Sequence, residues 1–174
     1  MEALVKKGLV KHIACSNMTI SKLKALLKVC KIKPVANEFE AHPCFQQKEL
    51  TDFCVKNDIV PIAYCPVGSP SRPDRDRQPE DAVDIEEPVV KRIAKRLGVH
   101  PATVCVKWAA QRGTIPIPMS ANPVNIVANI DSVCGNPLTA QEMRDMKKCE
   151  KDSRLIKGQV FMWKGSKGWP DLWK

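Results

Sequence analysis

The most constraining feature of this sequence is an alternation. Short apolar runs at residues 10–15, 35–40, 59–64 and 114–118 are separated by segments in which apolar residues recur three and four positions apart. After Thr19, a residue suited to cap a helix, Leu23, Leu26, Leu27 and Cys30 fall on one helical face. Leu50, Phe53 and Cys54 do the same within 46–56. Further helices are expected at 2–7, stopping at Gly8; at 87–97, ended by Gly98; at 102–111, with Pro101 in the first turn; and at 123–133. A last helix is expected at 139–150, where Thr139 and Glu142 have capping-box spacing. Strands alternating with helices through short connections must run parallel, so the class is α/β, with right-handed connections. Four such strands suit a small open sheet or half of an eight-stranded barrel, a fold of about 250 residues. The pattern does not decide between them.

The chain reads as one domain over 1–174. Residues 66–88 form a loop rich in Pro, Asp, Arg and Ser, long enough to be functional or mobile. The tail, 155–174, lacks periodicity and holds Trp163, Trp169 and Trp173, suited either to lining a pocket or to packing on the body.

Charge and cysteine content narrow the function classes. The net charge is +9, but the basic residues are spread along helix faces, as in Lys91, Arg92, Lys95 and Arg96. With one tyrosine and no interleaving of aromatic and basic side chains, nucleic-acid binding is not expected. No run approaches the ~20 apolar residues of a membrane span, and the start lacks the apolar core of a secretory signal. The eight cysteines include no C-x-x-C pair and no zinc spacing, and several lie in apolar runs, as in Val104-Cys105-Val106. Free thiols and a reducing compartment, the cytoplasm or an organelle matrix, are expected, with no metal site.

Three segments carry a resemblance. They are Gly8-Leu9-Val10-Lys11-His12-Ile13-Ala14-Cys15-Ser16-Asn17, Asn37-Glu38-Phe39-Glu40-Ala41-His42-Pro43 and Ala63-Tyr64-Cys65-Pro66-Val67-Gly68-Ser69. Each resembles a strand-end motif of the aldo-keto reductases, in which a strand ends in Ser-Asn, the next reads N-Q-x-E-x-H-P and the next A-Y-S-P-L-G-S. Trp108 to Gly113, Ile117 to Ser120 and Leu155 to Phe161 continue the match in order along essentially the whole chain. The resemblance implies a partial (β/α)8 TIM barrel whose four parallel strands are the family's strands five to eight.

It also implies NADPH- or NADH-dependent reduction of aldehydes or ketones. The family's catalytic Asp, Tyr, Lys and His lie on strands one to four and have no counterpart here, so no catalytic residue is assigned and the chain alone is expected to be inactive. His42 and Tyr64 stand at other positions of the pattern. The resemblance places the cofactor instead: Ser16 and Asn17 on the carboxamide of nicotinamide, with Glu38 in the usual Gln position, where a carboxylate accepts but cannot donate. It places Tyr64 under the nicotinamide ring, with Cys65 replacing a Ser; Val67, Gly68 and Ser69 over the pyrophosphate; and Ser120 and Asn129 near the adenosine. Met119 and Asn125 stand where the family commonly has Lys and Arg, which grip a 2′-phosphate, so a preference for NADPH is expected to weaken.

Read singly, these residues have plainer roles: Ser16 and Asn17 as helix caps, Tyr64 as a core aromatic, His42-Pro43 as a turn. Three functions follow from the resemblance: part of a carbonyl reductase, a non-catalytic subunit of an assembly, or one half of a split enzyme. Open barrel edges would require a protein partner or self-association.

Overall fold

The computed structural model describes residues 1–70 and 72–174 and, of Arg75, the backbone alone. Its principal elements in chain order are α1 (Glu2–Lys6), β1 (Cys15–Ser16), α2 (Ile20–Val29), β2 (Ala36–Glu40), α3 (Lys48–Lys56), β3 (Val60–Tyr64), α4 (Pro88–Leu97), α5 (Pro101–Gln111), β4 (Ile115–Pro116), α6 (Pro123–Cys134) and α7 (Ala140–Met146). The four parallel strands form one sheet in the order β1-β2-β3-β4, the arrangement expected. Cys15 lies opposite Asn37 and Ser16 opposite Glu38.

The edge strands are shorter than the apolar runs suggested. Val35 N still donates to Ile13 O at 2.9 Å, but β1 has a neighbour on one side only, and its first residues are not held as strand. β4 likewise has a neighbour on one side only, to which Ile117 N donates at Ala63 O, 3.0 Å. The expected helix at 139–150 is α7 followed by a tighter 3-10 turn over Lys147–Cys149. The long loop contains two further 3-10 turns, Asp74–Asp76 and Asp84–Glu86, and the second buries Asp84.

The chain divides into two compact units. One holds Met1–Phe39, Lys48–Ile62 and Ile156–Lys174. Thr19 caps α2 there, as expected, accepting a hydrogen bond from Lys22 N. Leu23, Phe39, Cys54 and Ile59 form the dry interior. Glu2 accepts from the backbone N–H groups of Lys31 and Ile32, fixing the turn after α2.

The other unit holds Glu40–Gln47 and Ala63–Leu155. Its core packs Val90, Ile93 and Ala94 of α4 against Val104, Cys105, Trp108 and Ala109 of α5, with Leu138, Met146 and Cys149. Each fully buried Val, Ile or Leu contributes about 1.5–3 kcal/mol. Pro88 opens α4, and Gly98 closes it at φ 66°, a left-handed cap that needs no Cβ. Arg96 makes a paired contact with the Glu142 carboxylate of α7, and Glu142 also closes the capping box with Thr139. Buried Lys107 of α5 donates to Ser132 O in the last turn of α6, placing a cation at that helix's negative end. All eight cysteines are free thiols.

Candidate functional site

The residues expected to hold a cofactor fall into three groups, of which Ser16 ends β1, Tyr64 ends β3 and Ser120 follows β4, while Glu38 lies within β2 and Asn129 within α6. In the first, Ser16 and Glu38 are register partners, and Asn17 N donates to Glu38 O at 2.7 Å. Asn17 sits at φ 56°, a left-handed turn that ends β1. A residue missed in the sequence holds this turn: fully buried Asn37 donates to Met18 O at 3.0 Å and accepts from Met18 N at 3.3 Å. Ser16 and Asn17 do not cap α2, since Thr19 does.

The second group is a tight turn. Half-buried Tyr64 ends β3, and Gly68 N donates to Cys65 O at 2.9 Å. Cys65, Gly68 and Ser69 all have positive φ, at 52°, 75° and 42°. A non-glycine residue in this region costs about 1–3 kcal/mol, which suits a backbone shaped for a purpose. Arg72 fastens the turn by donating to the carbonyls of Gly68 and Ser69 and to the Asp81 carboxylate. Val67 packs on the core.

Gly68 is required twice over. Its φ favours glycine, and a Cβ there would lie 2.2 Å from Asp84 Oδ2. Gly68→Ala is expected to destabilise the protein by about 1–3 kcal/mol, from left-handed strain and displacement of Asp84. An unchanged urea midpoint would refute this.

The third group is Ser120 and Asn129, which line one groove of about 610 Å³ with Met119. Ser120 Oγ accepts from Asn122 N, and Asn122 caps α6. Met119 is 91% exposed. No cation occupies its position or that of exposed Asn125.

A separate, wholly buried cluster surrounds His42. Its Nδ1 lies 2.9 Å from Asp84 Oδ1, and its Nε2 3.2 Å from Glu40 Oε1. Asp84 Oδ1 also accepts from Cys44 N, and Glu40 Oε1 from Leu155 N. Arg154 approaches Glu40 Oε2 at 3.7 Å and lies over the Phe45 ring. Burial opposes charge on His42, but hydrogen bonds and opposite charges from Asp84 and Glu40 prevail, raising its pKa to about 9. His42 is therefore a cation locked between two carboxylates, with no exposed surface from which to act on a substrate. The expected turn is also present, since His42 and Phe45 exchange backbone hydrogen bonds. Asp84, 42 residues away in the long loop, carried no sequence signal for this role. Among the described residues, no group of three or more His, Cys, Asp or Glu is placed to hold a metal, and no helix is long and apolar enough to cross a membrane.

Comparison with known proteins gives a consistent picture. The model of the Aldo/keto reductase family matches residues 1–151. "Aldo-keto reductase family 1 member A1" of Gallus gallus is 37% identical over 156 residues, covering 90% of this chain and 47% of that protein. "Glycerol 2-dehydrogenase (NADP(+))" of Hypocrea jecorina is 41% identical over 135 residues, covering 75% of this chain and 40% of that protein. The solved structure of an aldo-keto reductase enzyme from a Medee basin deep-sea metagenome library superposes with a TM-score of 0.78 at 28% identity, covering 88% of this chain and 53% of that one. The chain thus spans about half the length of the relatives it matches.

Proposed function

This chain belongs to the aldo/keto reductase family, and we propose that it is the cofactor-holding half of a carbonyl-reducing barrel, inactive until a second half supplies the catalytic residues. In this reading residues 1–174 act as a single half-barrel domain that takes NADH or NADPH. The observation that carries it is the state of the expected contact residues. The Ser16 side chain is exposed and that of Asn129 half-buried, and neither side chain makes a hydrogen bond among the described residues. Polar groups held in place yet unspent fit a polar ligand.

Bound cofactor supplies a hydride to the carbonyl carbon. The chain's own residues bind and orient. Ser16 and Asn17 hydrogen-bond the carboxamide, and Glu38 can accept its N–H. Tyr64 presents a ring face for stacking. The 65–69 turn covers the pyrophosphate, and Ser120 and Asn129 meet the adenosine. With Met119 and Asn125 in place of cations, nothing at those positions rewards a 2′-phosphate, so NADH is accepted as readily as NADPH.

Fluorescence titration with NADH and NADPH tests the reading. Tyr64→Ala is expected to weaken binding roughly tenfold, the worth of one stacking contact. Unchanged affinity in Tyr64→Ala, or no binding by the parent chain, would overturn it.

A further inference from the structure

α5 and α6 pack side by side, and a pocket of about 610 Å³ opens along their seam. His100, Thr103 and Lys107 line it from α5 and its cap, three and four positions apart and so on one face. Val124, Ala128, Asp131 and Ser132 line it from α6, again at helical spacing. The groove with Ser120 and Asn129 lies on the opposite face of α6, which carries Ile126, Asn129 and Ile130. None of the residues assigned above to the cofactor therefore lines the second pocket, although exposed Asn125 stands at its wall.

One side chain sets this pocket apart. Lys107 is 6% exposed, and its ammonium donates to Ser132 O. It makes no ion pair among the described residues. An ammonium carries three N–H donors, so two remain unused. The last turn of α6 gives it a partial negative charge, but a full charge buried without a counter-charge is strongly unfavourable. A Cβ at Gly135 would lie 3.9 Å from Lys107 Nζ, so the ammonium sits beside two lining residues of the pocket, Ser132 and Gly135. Thr103, one helical turn away, adds another unused group. It is 7% exposed, and its hydroxyl makes no hydrogen bond among the described residues.

The other end is apolar. Leu97 and Val99 lie beside His100, with Val124 and Ala128 across from them on α6. Lys107 stands seven residues beyond His100, about 10 Å along the helix. We infer that this pocket binds a small monocarboxylate with an extended apolar body. The carboxylate accepts from the Lys107 ammonium and the Thr103 hydroxyl, and the body lies along Leu97, Val99, Val124 and Ala128. No second Lys or Arg lines the pocket, so a more highly charged anion such as a phosphate ester finds no further cation. Asp131 is the one acidic residue of the wall and is exposed, so solvent screens its repulsion. The inference does not rest on cofactor binding.

Calorimetric titration of the chain with octanoate, octanol and inorganic phosphate tests it. Octanoate is expected to bind, and octanol and phosphate at least about tenfold more weakly, because each lacks half of the recognition. Lys107→Met should weaken octanoate at least about tenfold by removing the cation. Ala128→Phe should weaken it comparably by filling the apolar end while leaving the ammonium in place. Ala128 is only half-buried, so folding should survive there, and circular dichroism checks both variants. If Lys107→Met does not fold, Ala128→Phe and the octanol comparison decide. Saturating NADH or NADPH should not displace octanoate. Four outcomes would overturn the inference. Failure of octanoate to bind would mean that solvent alone meets the ammonium. Equal affinity for octanol would remove the role of charge. Unchanged affinity in Ala128→Phe would place the ligand elsewhere. Displacement by NADH or NADPH would make the pocket part of the cofactor site.

Discussion

Replacing His42 with alanine is expected to destabilise the protein by about 3–5 kcal/mol, a large fraction of a domain's whole stability. The side chain is 0% exposed and bridges Glu40 and Asp84. Its removal leaves two carboxylates in a dry interior. Asp84 would keep the Cys44 N–H, and Glu40 the Leu155 N–H and Arg154. Neither compensates for a lost cation between two like charges. His42→Gln should recover part of the loss, because its amide can still donate to one carboxylate. Urea unfolding at neutral pH measures all three proteins. A His42→Ala variant within 1 kcal/mol of the parent would be an ordinary surface-type effect and would show the cluster to be energetically unimportant.

The same cluster gives stability a direction in pH. His42 binds its proton more tightly folded, at about 9, than at its ordinary 6.5. Its contribution is fully present below about 6.5 and is lost as pH rises through about 9. The total is about 3 kcal/mol at 1.36 kcal/mol per pH unit. Buried thiols add to the alkaline loss, since burial pushes Cys54 and Cys149 up to about 11. The diagnostic quantity is therefore the difference between parent and His42→Ala across pH 6.5 to 9.5. That difference should shrink as pH rises, and a constant difference would contradict the assignment of His42 as a cation.

The contrast between what the sequence disclosed and what it hid has a physical cause. α2, α4 and α7 were legible because their caps are local: Thr19, Gly98 and the Thr139–Glu142 pair act within a few residues of the helices they end. The parallel α/β class was legible because strands alternating with helices imply crossover connections. The lengths of β1 and β4 were not, because an edge strand extends only as far as its single neighbour holds it. Cluster members separated by long stretches of chain were hidden for another reason. Glu40 and Leu155 meet across 115 residues, and nothing periodic links them. Asn37 was hidden within its own strand, since a buried amide that clamps a turn looks like any strand residue. The cofactor residues were visible through resemblance alone; Ser16, Tyr64 and Asn129 have no spacing that distinguishes them from caps and core side chains.

Purified alone, the chain is expected to show no carbonyl reduction above background, whatever its affinity for cofactor. Hydride addition to a carbonyl needs a proton for the oxygen, and a positioned acid contributes about 10²–10⁴-fold. The tyrosine and the three histidines, the first candidates to supply one, are assigned elsewhere or misplaced. Tyr64 is the one tyrosine and is assigned to stacking. Of the three histidines, His42 is sealed between carboxylates, and His100 accepts from Ala102 N as the cap of α5. His12 lies before β1, at the opposite end of that strand from Ser16 and Asn17. Lys107 donates to a carbonyl in the last turn of α6, and Lys151 pairs with Glu87 at the start of α4. Completing the barrel with the N-terminal half of the Gallus gallus relative should therefore raise aldehyde-dependent NADH or NADPH oxidation by at least about 10²-fold over either half alone. Loss of orientation in the separate halves would enlarge that ratio. The assay is absorbance of the reduced cofactor with a simple aromatic aldehyde. Turnover by the isolated chain at about 1 s⁻¹ or faster, the ordinary range of enzymes, would mean that an acid has gone unrecognised within these residues.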